Sequence, residues 1–328
     1  MMSFCICTTI RARQQDTLAF VKYHLNIGIT HIFLFFDDPN DSAIDVLSTE
    51  SRVTCTRCDA DYWARVVNTH QDNLSINDRQ RLNTIQALSL ARKLGFDWIA
   101  HIDGDELIYS NNSLQYELEN IPTDTQIVKM NVLEAVPPST STRTIFDQVI
   151  YFKLARVTYP PLNFAVSLPE KLRFIFETLI YQAKCFILYG TGYADKFKFG
   201  FIKGHSMGKT IIRTTAPIEG IRSHYPVLKD GSRLKMLLYS QIFVLHFDCM
   251  DSDDWIRKWR FRLERSTPVK LGRNREKQFQ AFISVQDKGE LALQNLYSQI
   301  YDFSIENIKA FKLLGLIRSI NLPSNLFE

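Results

Sequence analysis

Short β-rich runs alternate with stretches of helical periodicity over the first hundred residues, and this alternation limits the fold more than any other feature. The β-rich runs occupy residues 4–10, 30–36, 52–58 and 98–102. Apolar residues spaced three or four apart separate the first two runs and also precede the last one. Strands that alternate with helices form mainly parallel sheets with helices on both faces. The sequence therefore predicts an α/β fold built on a Rossmann-like sheet.

Carboxylates follow two of these runs, at the points where the strands end. Asp37 comes after THIFLFF, and Asp103-Gly104-Asp105-Glu106 comes after WIAHI. Ligands of such sheets bind beyond the carboxyl ends of the strands. Side chains two residues apart in an extended segment point to the same side, so Asp103 and Asp105 can share one cation. Carboxylate oxygens suit Mg²⁺ or Mn²⁺, which also bind substrate phosphates.

The composition is that of an ordinary globular protein. Hydrophobic residues make up 45% of the 328 residues and charged residues 23%, so a sizeable core is expected. The net charge of +4 is too small to indicate a nucleic-acid-binding protein. The sequence has neither a signal-peptide pattern nor the ~18 consecutive apolar residues of a transmembrane helix, which predicts a cytoplasmic protein.

The alternation of strands and helices stops near Thr125. The chain then mixes strands with helical patterns, of which the last three cover residues 252–265, 274–286 and 303–319. We predict a main α/β domain over residues 1–250 and a helical C-terminal extension over residues 251–328 that packs on it.

The last helical pattern, IENIKAFKLLGLIRSI, is amphipathic. Ile308, Phe311, Leu314 (or Leu313) and Ile317 share one face, with basic residues nearby. Packing onto the main domain is one interpretation of this face. Peripheral contact with the inner face of a membrane, where a lipid-linked acceptor would lie, is the alternative.

Several blocks of sequence, taken in order, resemble a known family. They are FVKYHLNIGITHIFLFFDDPNDS, RQRLNTIQALSLARKLGFDWIAHIDGDELI, GKTIIR, HYP at His224, and LHF at His246 followed by DDWIRKW. Together they resemble family 2-like and family 92-like glycosyltransferases of the GT-A fold, over roughly residues 4–265. One position departs from the family pattern, because Arg11-Ala12-Arg13 stands where an Asn-Glu pair often follows the first strand. The resemblance implies that residues 1–250 form a GT-A-type catalytic domain.

The resemblance implies a glycosyltransferase that uses a divalent cation, Mn²⁺ or Mg²⁺, and a nucleotide-sugar donor, with UDP-sugars favoured. Asp103 and Asp105 would bind the cation, and Asp103 would also contact the ribose. Asp37 would contact the base or the sugar of the donor. The acceptor, a glycan, a lipid-linked sugar or a protein, is left open.

Basic residues at matching positions would face the phosphates of the donor. The resemblance assigns this role to Lys209 and Arg213 of GKTIIR, and to Arg79 or Arg81 on the helix before the acidic motif. The alternatives are a solvated helix face for Arg79 and Arg81, and a surface position for Arg213.

Two late histidines and two late acids complete the set of candidates. A neutral imidazole is a common third ligand beside two carboxylates, so His246 is a candidate metal ligand. His224, in the HYP block, is a candidate for binding the donor. The alternative for His246 is a buried structural histidine. An inverting enzyme also needs a carboxylate base near the acceptor hydroxyl, for which Glu134 and Asp248 are candidates between which spacing does not choose. A retaining enzyme is not expected to need either.

Two other classes of protein stay open at this point. A nucleotidyltransferase of similar topology would also bind nucleotide and cation, but such enzymes often carry a glycine-rich basic loop after the first strand. The corresponding stretch here, IRARQQDT, contains no glycine. A degenerate module that binds without catalysis is the third class, against which the intact acidic, basic and histidine motifs argue.

Overall fold

The computed structural model describes residues 2–67, 74–138, 144–147, 149–154, 170–190, 199, 208–222, 224–228, 234, 236–264, 271 and 273–327. The chain divides into two compact units that are interleaved along the sequence. The first contains Met1–Val132, Met207–Leu245 and Pro323–Glu328, and the second contains Leu133–Ser206 and His246–Leu322. The division into a catalytic domain and a C-terminal extension at residue 250 stays a prediction.

A parallel sheet forms the centre of the first unit. Its strands are β1 (Phe4–Ile10), β2 (His31–Phe36), β3 (Val53–Arg57) and β4 (Trp98–His101), in the order β3-β2-β1-β4. β1 pairs in parallel with β2 and β4, and β2 pairs in parallel with β3. Every residue of β1 is buried, as is typical of parallel strands covered on both faces.

Antiparallel strands extend this sheet beyond β4. The strands β5 (Glu106–Ser110) and β6 (Ile127–Ala135) follow β4 along the chain. β8 (Thr210–Arg213) pairs with β4 and with β6, and β11 (Met236–His246) pairs with β5 and β6. β9 (Ile218–Ile221) and β10 (Pro226–Leu228) form a separate pair. The predicted α/β, Rossmann-like fold class is confirmed.

Helices connect the strands of the first unit. They are α1 (Gln14–Asn26), α2 (Ala43–Leu47), α3 (Ala60–Val67), α4 (Ile76–Leu94) and α5 (Leu114–Glu119). α4 begins after Ser75, whose side chain accepts a hydrogen bond from the N–H of Asp78. It ends at Gly95, which has the left-handed φ of 76° that glycine tolerates. Only a short turn then separates α4 from β4.

Gly208 lies where two backbone segments approach each other closely. A Cβ atom at this position would come within 1.7 Å of the carbonyl oxygen of Met130 on β6. The carbonyl of the next residue, Lys209, accepts a hydrogen bond from the N–H of Met130, at 2.9 Å. Glycine is therefore required at this point for β8 to pair with β6.

We expect Gly208→Ala to lower the free energy of unfolding by about 3 kcal/mol or more, because backbone atoms must move to admit the methyl group. Gly220→Ala is the control, since its Cβ would meet the Ile85 side chain at 2.8 Å, and a side chain yields more easily than backbone. Urea denaturation of both variants measures the difference. Equal losses for the two variants would contradict the prediction.

The second unit combines strands with a group of helices. The last residues of β6 pair with β7 (Tyr151–Leu154), which pairs with β12 (Ile317–Ser319). The helices are α6 (Glu170–Tyr189), α7 (Ser252–Leu263), α8 (Arg273–Val285), α9 (Glu290–Tyr301) and α10 (Ile305–Leu313). α7, α8 and α9 share a core in which Trp255, Trp259 and Phe282 are fully buried.

The amphipathic terminal segment is packed inside the second unit. Phe311 and Ile317 are 0% and 3% exposed and share a buried cluster with Val136 and Leu316. The prediction of one helix over residues 303–319 was wrong, because the helix ends at Leu313 and a turn at Gly315, with φ of 63°, leads into β12. Membrane contact through this segment finds no support in its packing.

The described helices include none that combines the length and the apolar character needed to cross a membrane.

Candidate functional site

Two of the predicted acidic positions lie at one edge of the parallel sheet. The N–H of Asp37, just after β2, donates to the carbonyl of Ile10 at the end of β1. The N–H of Ile102, just after β4, donates to the carbonyl of Cys7 on β1. The carboxyl ends of these three adjacent strands therefore bring Asp37 and the Asp103–Glu106 turn to the same edge, which is where ligands of such sheets bind.

Asp103 accepts hydrogen bonds on both of its carboxylate oxygens. The Gln80 side-chain amide on α4 donates to Oδ1 at 2.8 Å, and the Lys209 ammonium donates to Oδ2 at 2.6 Å. The Asp103 side chain is 20% exposed. These contacts hold the carboxylate in a fixed orientation while leaving part of it at the surface.

Lys209 is a buried cation between two carboxylates. Its ammonium lies 2.6 Å from Asp103 and 3.2 Å from Glu106, and its side chain is 1% exposed. Burial by itself lowers the pKa of the lysine, but the Asp103 and Glu106 carboxylates outweigh burial and raise the pKa above its ordinary value. The ammonium is therefore charged and acts as the permanent counter-ion of the acidic turn.

Glu106 closes the turn from the other side. Its Oε2 accepts a hydrogen bond from the N–H of Asp103 at 2.8 Å, and its side chain is 1% exposed. A Cβ atom on Gly104 would meet the Ile10 side chain at 3.0 Å, so a small residue suits the close approach of turn and β1. Asp105 is partly exposed, and with Asp103 it forms the accessible acidic surface of the turn.

Asp37 and Arg79 form a bidentate ion pair with each other. Nε and Nη2 of Arg79 donate to the two oxygens of Asp37 at 2.7 and 2.9 Å, and Nη1 donates to the carbonyl of Leu74. The two side chains are only 3% and 6% exposed. The alternative of a solvated helix face therefore does not apply to Arg79, whereas Arg81 on the same helix is partly exposed.

We expect Arg79→Ala to cost about 3–5 kcal/mol of stability, because it leaves the buried Asp37 carboxylate without its counter-ion. Arg52→Ala is the matched control, since Arg52 pairs with Glu50 at 3.2 Å at the surface, with side chains 51% and 33% exposed, and such pairs contribute about 0–1 kcal/mol. Chemical denaturation distinguishes the two. A loss at Arg79 as small as that at Arg52 would show that Asp37 is solvated.

His101 is buried inside β4 directly beside the acidic turn. Burial, followed by the nearby Lys209 ammonium, lowers the pKa of its imidazole to about 3. His101 is therefore neutral under ordinary conditions. His24, on α1, is also fully buried. Its Nδ1 donates a hydrogen bond to the carbonyl of Phe20, and its Nε2 accepts one from the N–H of Ile108. These contacts give His24 a structural role, whereas both ring nitrogens of His101 are buried without a hydrogen-bond partner among the described residues and its Nε2 lies 3.9 Å from Asp103.

The two basic residues of GKTIIR lie at opposite ends of one strand. β8 runs antiparallel to β4, so Lys209 precedes β8 near the acidic turn, whereas Arg213 pairs with Trp98 at the start of β4. The Arg213 guanidinium lies 4.1 Å above the Trp98 ring, and its Nε donates to the carbonyl of Thr125 at 2.8 Å. The structure therefore does not bring Arg213 to the Asp103 edge. This position does not support phosphate binding by Arg213, which stays a prediction.

We expect Arg213→Ala to lower the free energy of unfolding by about 1–2 kcal/mol, through loss of the stacking and of one hydrogen bond. The KM for any donor should not change, because the side chain lies at the far end of the strand. Urea denaturation and donor kinetics provide the two readouts. A large rise in KM with an unchanged unfolding midpoint would return Arg213 to the donor site.

His224 lies close to the glycine before Lys209. Its Nδ1 is 3.2 Å from the carbonyl oxygen of Gly208, so Nδ1 carries the proton in that contact and a neutral ring has its lone pair on Nε2. The side chain is partly buried. Its position near Lys209 is compatible with the predicted role in donor binding, which stays a prediction.

Glu134 and His246 are paired in the second unit. His246 Nδ1 lies 3.0 and 3.2 Å from the two carboxylate oxygens of Glu134, and the residues are 5% and 1% exposed. Lys153 stands opposite Glu134 in the pairing of β6 with β7. Burial lowers the pKa of Lys153 to about 8, against the opposing effects of Glu134 and Cys185. Glu134 is thus engaged by neighbours, and both its role as a base and that of His246 as a metal ligand stay predictions.

Asp248, the other candidate base, is surrounded by cationic groups. It is 5% exposed, contacts the Arg275 guanidinium, and lies 3.4 Å from the Lys258 ammonium. The thiol of Cys249 donates to the same carboxylate at 3.1 Å. These contacts favour a structural role for Asp248 in joining α7 to α8.

The residues of the acidic turn fit a divalent cation that has additional ligands from elsewhere. Among the described residues, no group of three or more His, Cys, Asp or Glu side chains is arranged to hold a metal ion. Asp103 and Asp105 provide hard oxygen donors for part of an octahedral shell, which a diphosphate and water can complete. The donor chemistry therefore suits a cation that arrives with a phosphate-bearing ligand.

Gln80 and Glu106 are part of this site, although the sequence interpretation gave neither a role. Glu106 is the third acid of the DGDE motif. Its position directly before the apolar residues Leu107 and Ile108 was the signal for a role in the turn. Gln80 gave no such signal, because its contact with Asp103 spans 23 residues and depends on how α4 lies against β4.

Comparisons with known proteins give limited similarity. No protein-family model matches the chain. Two glycosyltransferase-like proteins of Arabidopsis thaliana are 27% identical over 168 residues and 28% identical over 170 residues. Each match covers 45% of this chain but only 37% or 33% of the relative, so the matched segment spans about a third of the length of these relatives.

Similarity to solved structures is weaker still. S. aureus TarS, in a crystal structure of residues 1–349, aligns with 96% of this chain and 81% of its own, at 10% identity and a TM-score of 0.34. A similarity with so low a TM-score supports no argument about function.

Proposed function

We propose that this protein is a glycosyltransferase of GT-A type that transfers a sugar from a nucleoside-diphosphate sugar, with UDP-sugars favoured, to an acceptor hydroxyl. The proposal includes dependence on a divalent cation, Mn²⁺ or Mg²⁺. The observation that carries it is the acidic turn beyond β4, in which Asp103 is fixed by Lys209 and Gln80 and Asp105 is partly exposed. The glycosyltransferase-like names of the two plant relatives support the same class of reaction.

Asp103 and Asp105 would hold the cation through their carboxylates. The bound cation would neutralise charge that develops on the leaving diphosphate. Asp103 can hold its orientation because Lys209 and Gln80 each bind one of its oxygens. A fixed carboxylate needs no rearrangement when charge develops, which is the advantage of preorganised electrostatics.

Lys209 would act mainly through Asp103 rather than by touching the donor. Its ammonium is 1% exposed and is bound by Asp103 and Glu106. The pair of Arg79 and Asp37 would likewise shape the donor edge, because each of these side chains is bound to the other. Arg81 and His224, which are partly exposed, are the better candidates for direct contact with the donor.

Thermal-shift measurements with nucleoside diphosphates, each with and without Mn²⁺, test the proposal. A ligand at about 100 times its dissociation constant stabilises the folded state by about 2.7 kcal/mol, and this should raise the melting temperature by several degrees when both components are present. No shift with any diphosphate would contradict the proposal. A shift that requires a nucleoside triphosphate together with a sugar phosphate would indicate a nucleotidyltransferase instead.

A further inference from the structure

The helix α6 of the second unit has one face inside the protein. Cys185 is 1% exposed, and Tyr181, Leu188 and Tyr189 pack against the buried cluster that contains Phe311. These contacts fix the orientation of α6 about its own axis. What the opposite side presents is therefore set by the sequence of the helix.

The opposite side of α6 is apolar and exposed. Leu172, Ile175, Leu179, Phe186 and Ile187 are between 48% and 71% exposed, and we call these five residues the outer face. Their spacing is that of one helix face, and it runs about 22 Å along the axis at 1.5 Å per residue. Monomeric soluble proteins rarely expose a continuous apolar stripe of this kind, and those that do use it to bind a partner or a membrane.

Basic residues are concentrated in the unit that carries this face. Its two segments, 133–206 and 246–322, contain 22 Lys and Arg against 15 Asp and Glu, a net charge of +7. Since the whole chain has a net charge of +4, the remaining residues have a net charge of −3. The attraction of this unit for an anionic surface is therefore stronger than the charge of the whole chain indicates.

We propose that the outer face of α6 inserts into the interface of an anionic lipid membrane. Apolar side chains on an exposed helix face enter the boundary between headgroups and acyl chains, and a basic protein surface strengthens binding to anionic lipids. Pairing with a second copy through the same face is disfavoured, because a two-fold contact would bring two units of net charge +7 together. This inference does not depend on the proposed function.

Co-sedimentation with vesicles tests the proposal on the full chain. We expect binding to vesicles of phosphatidylcholine with phosphatidylglycerol, weaker binding to phosphatidylcholine alone, and a decrease in binding with added salt. Leu179→Glu and Ile187→Glu should each reduce the partition coefficient by roughly tenfold or more, because each places a charge in the apolar part of the interface.

Leu291→Glu and Leu313→Glu are the matched controls. These leucines are 71% and 88% exposed on α9 and α10 of the same unit, so the same charge is added outside the outer face. Both controls should bind vesicles like the wild type, and circular dichroism should show all four variants to be folded. The proposal is overturned if the wild type stays unbound with anionic vesicles. It is also overturned if all four variants lose binding equally, or if light scattering shows a dimer that Leu179→Glu converts to monomer without any vesicle binding.

Discussion

Asp105→Ala should reduce sugar transfer by about a hundredfold or more while leaving the protein folded. Asp105 lies partly exposed in the acidic turn, next to an Asp103 that is fixed by Lys209 and Gln80. Its loss removes one of the two carboxylates proposed for the cation, and stabilisation of charge by such groups contributes several kcal/mol to the transition state. Initial rates with Mn²⁺, together with thermal melting, measure both effects.

Asp45→Ala is the control for this variant. The Asp45 side chain is 84% exposed on α2, where it pairs with Arg57, so its loss removes an aspartate without touching the acidic turn. The control should transfer sugar at the wild-type rate. Near-normal transfer by folded Asp105→Ala at saturating Mn²⁺ would exclude Asp105 from the cation site.

Lys209→Met should lower both the free energy of unfolding and the rate of donor use. Expressed as free energies, we expect the loss of stability to be the larger of the two effects. Methionine has an unbranched side chain of similar length to that of lysine but no charge. The variant therefore leaves Asp103 and Glu106 without the ammonium between them. Removing one partner of a buried ion pair typically costs about 3–5 kcal/mol. The family resemblance implied a phosphate-facing lysine, whereas the structure places the ammonium of Lys209 between Asp103 and Glu106.

Two companion variants show whether charge is the cause. Adding Glu106→Gln to Lys209→Met removes one unpaired carboxylate, so it should restore part of the lost stability. Lys93→Met, on the exposed side of α4, should leave the unfolding midpoint unchanged. Chemical denaturation of the three variants provides the comparison. If Lys209→Met unfolds at the wild-type midpoint while its donor KM rises, then Lys209 contacts phosphate directly.

The sheet edge was predictable from the sequence because it depends on local patterns. Apolar runs ended by acids, such as THIFLFF before Asp37 and WIAHI before Asp103, signal buried strands that finish at a polar edge. The structure has both as parallel neighbours of β1. No knowledge of distant contacts was needed for that part of the site.

The partners of these acids were not predictable, because they come from distant parts of the chain. Lys209 reaches Asp103 across 106 residues of sequence. The direction of β8 also separates Lys209 from Arg213, although both belong to the same short motif. A motif indicates which residues lie on one strand, whereas the pairing of that strand decides which end meets the site.

The terminal segment shows a similar limit. Its apolar spacing predicted one amphipathic helix, but the left-handed φ of Gly315 ends the helix and allows β12 to pair with β7. An isolated glycine in a helical pattern is tolerated or ends the helix depending on tertiary contacts. The partner of β12 lies more than a hundred residues earlier, so the sequence pattern carried no sign of it.

Release of nucleoside diphosphate from a panel of nucleotide sugars measures the proposed transfer reaction itself. The rate should be measured for the wild type and for Asp105→Ala, in Mn²⁺ and again after chelation. We predict cation-dependent release from at least one nucleotide sugar, UDP-sugars first, and its loss in Asp105→Ala. Release that persists undiminished in Asp105→Ala and after chelation, or no release from any donor by a protein that also fails to bind nucleoside diphosphates, would contradict the account.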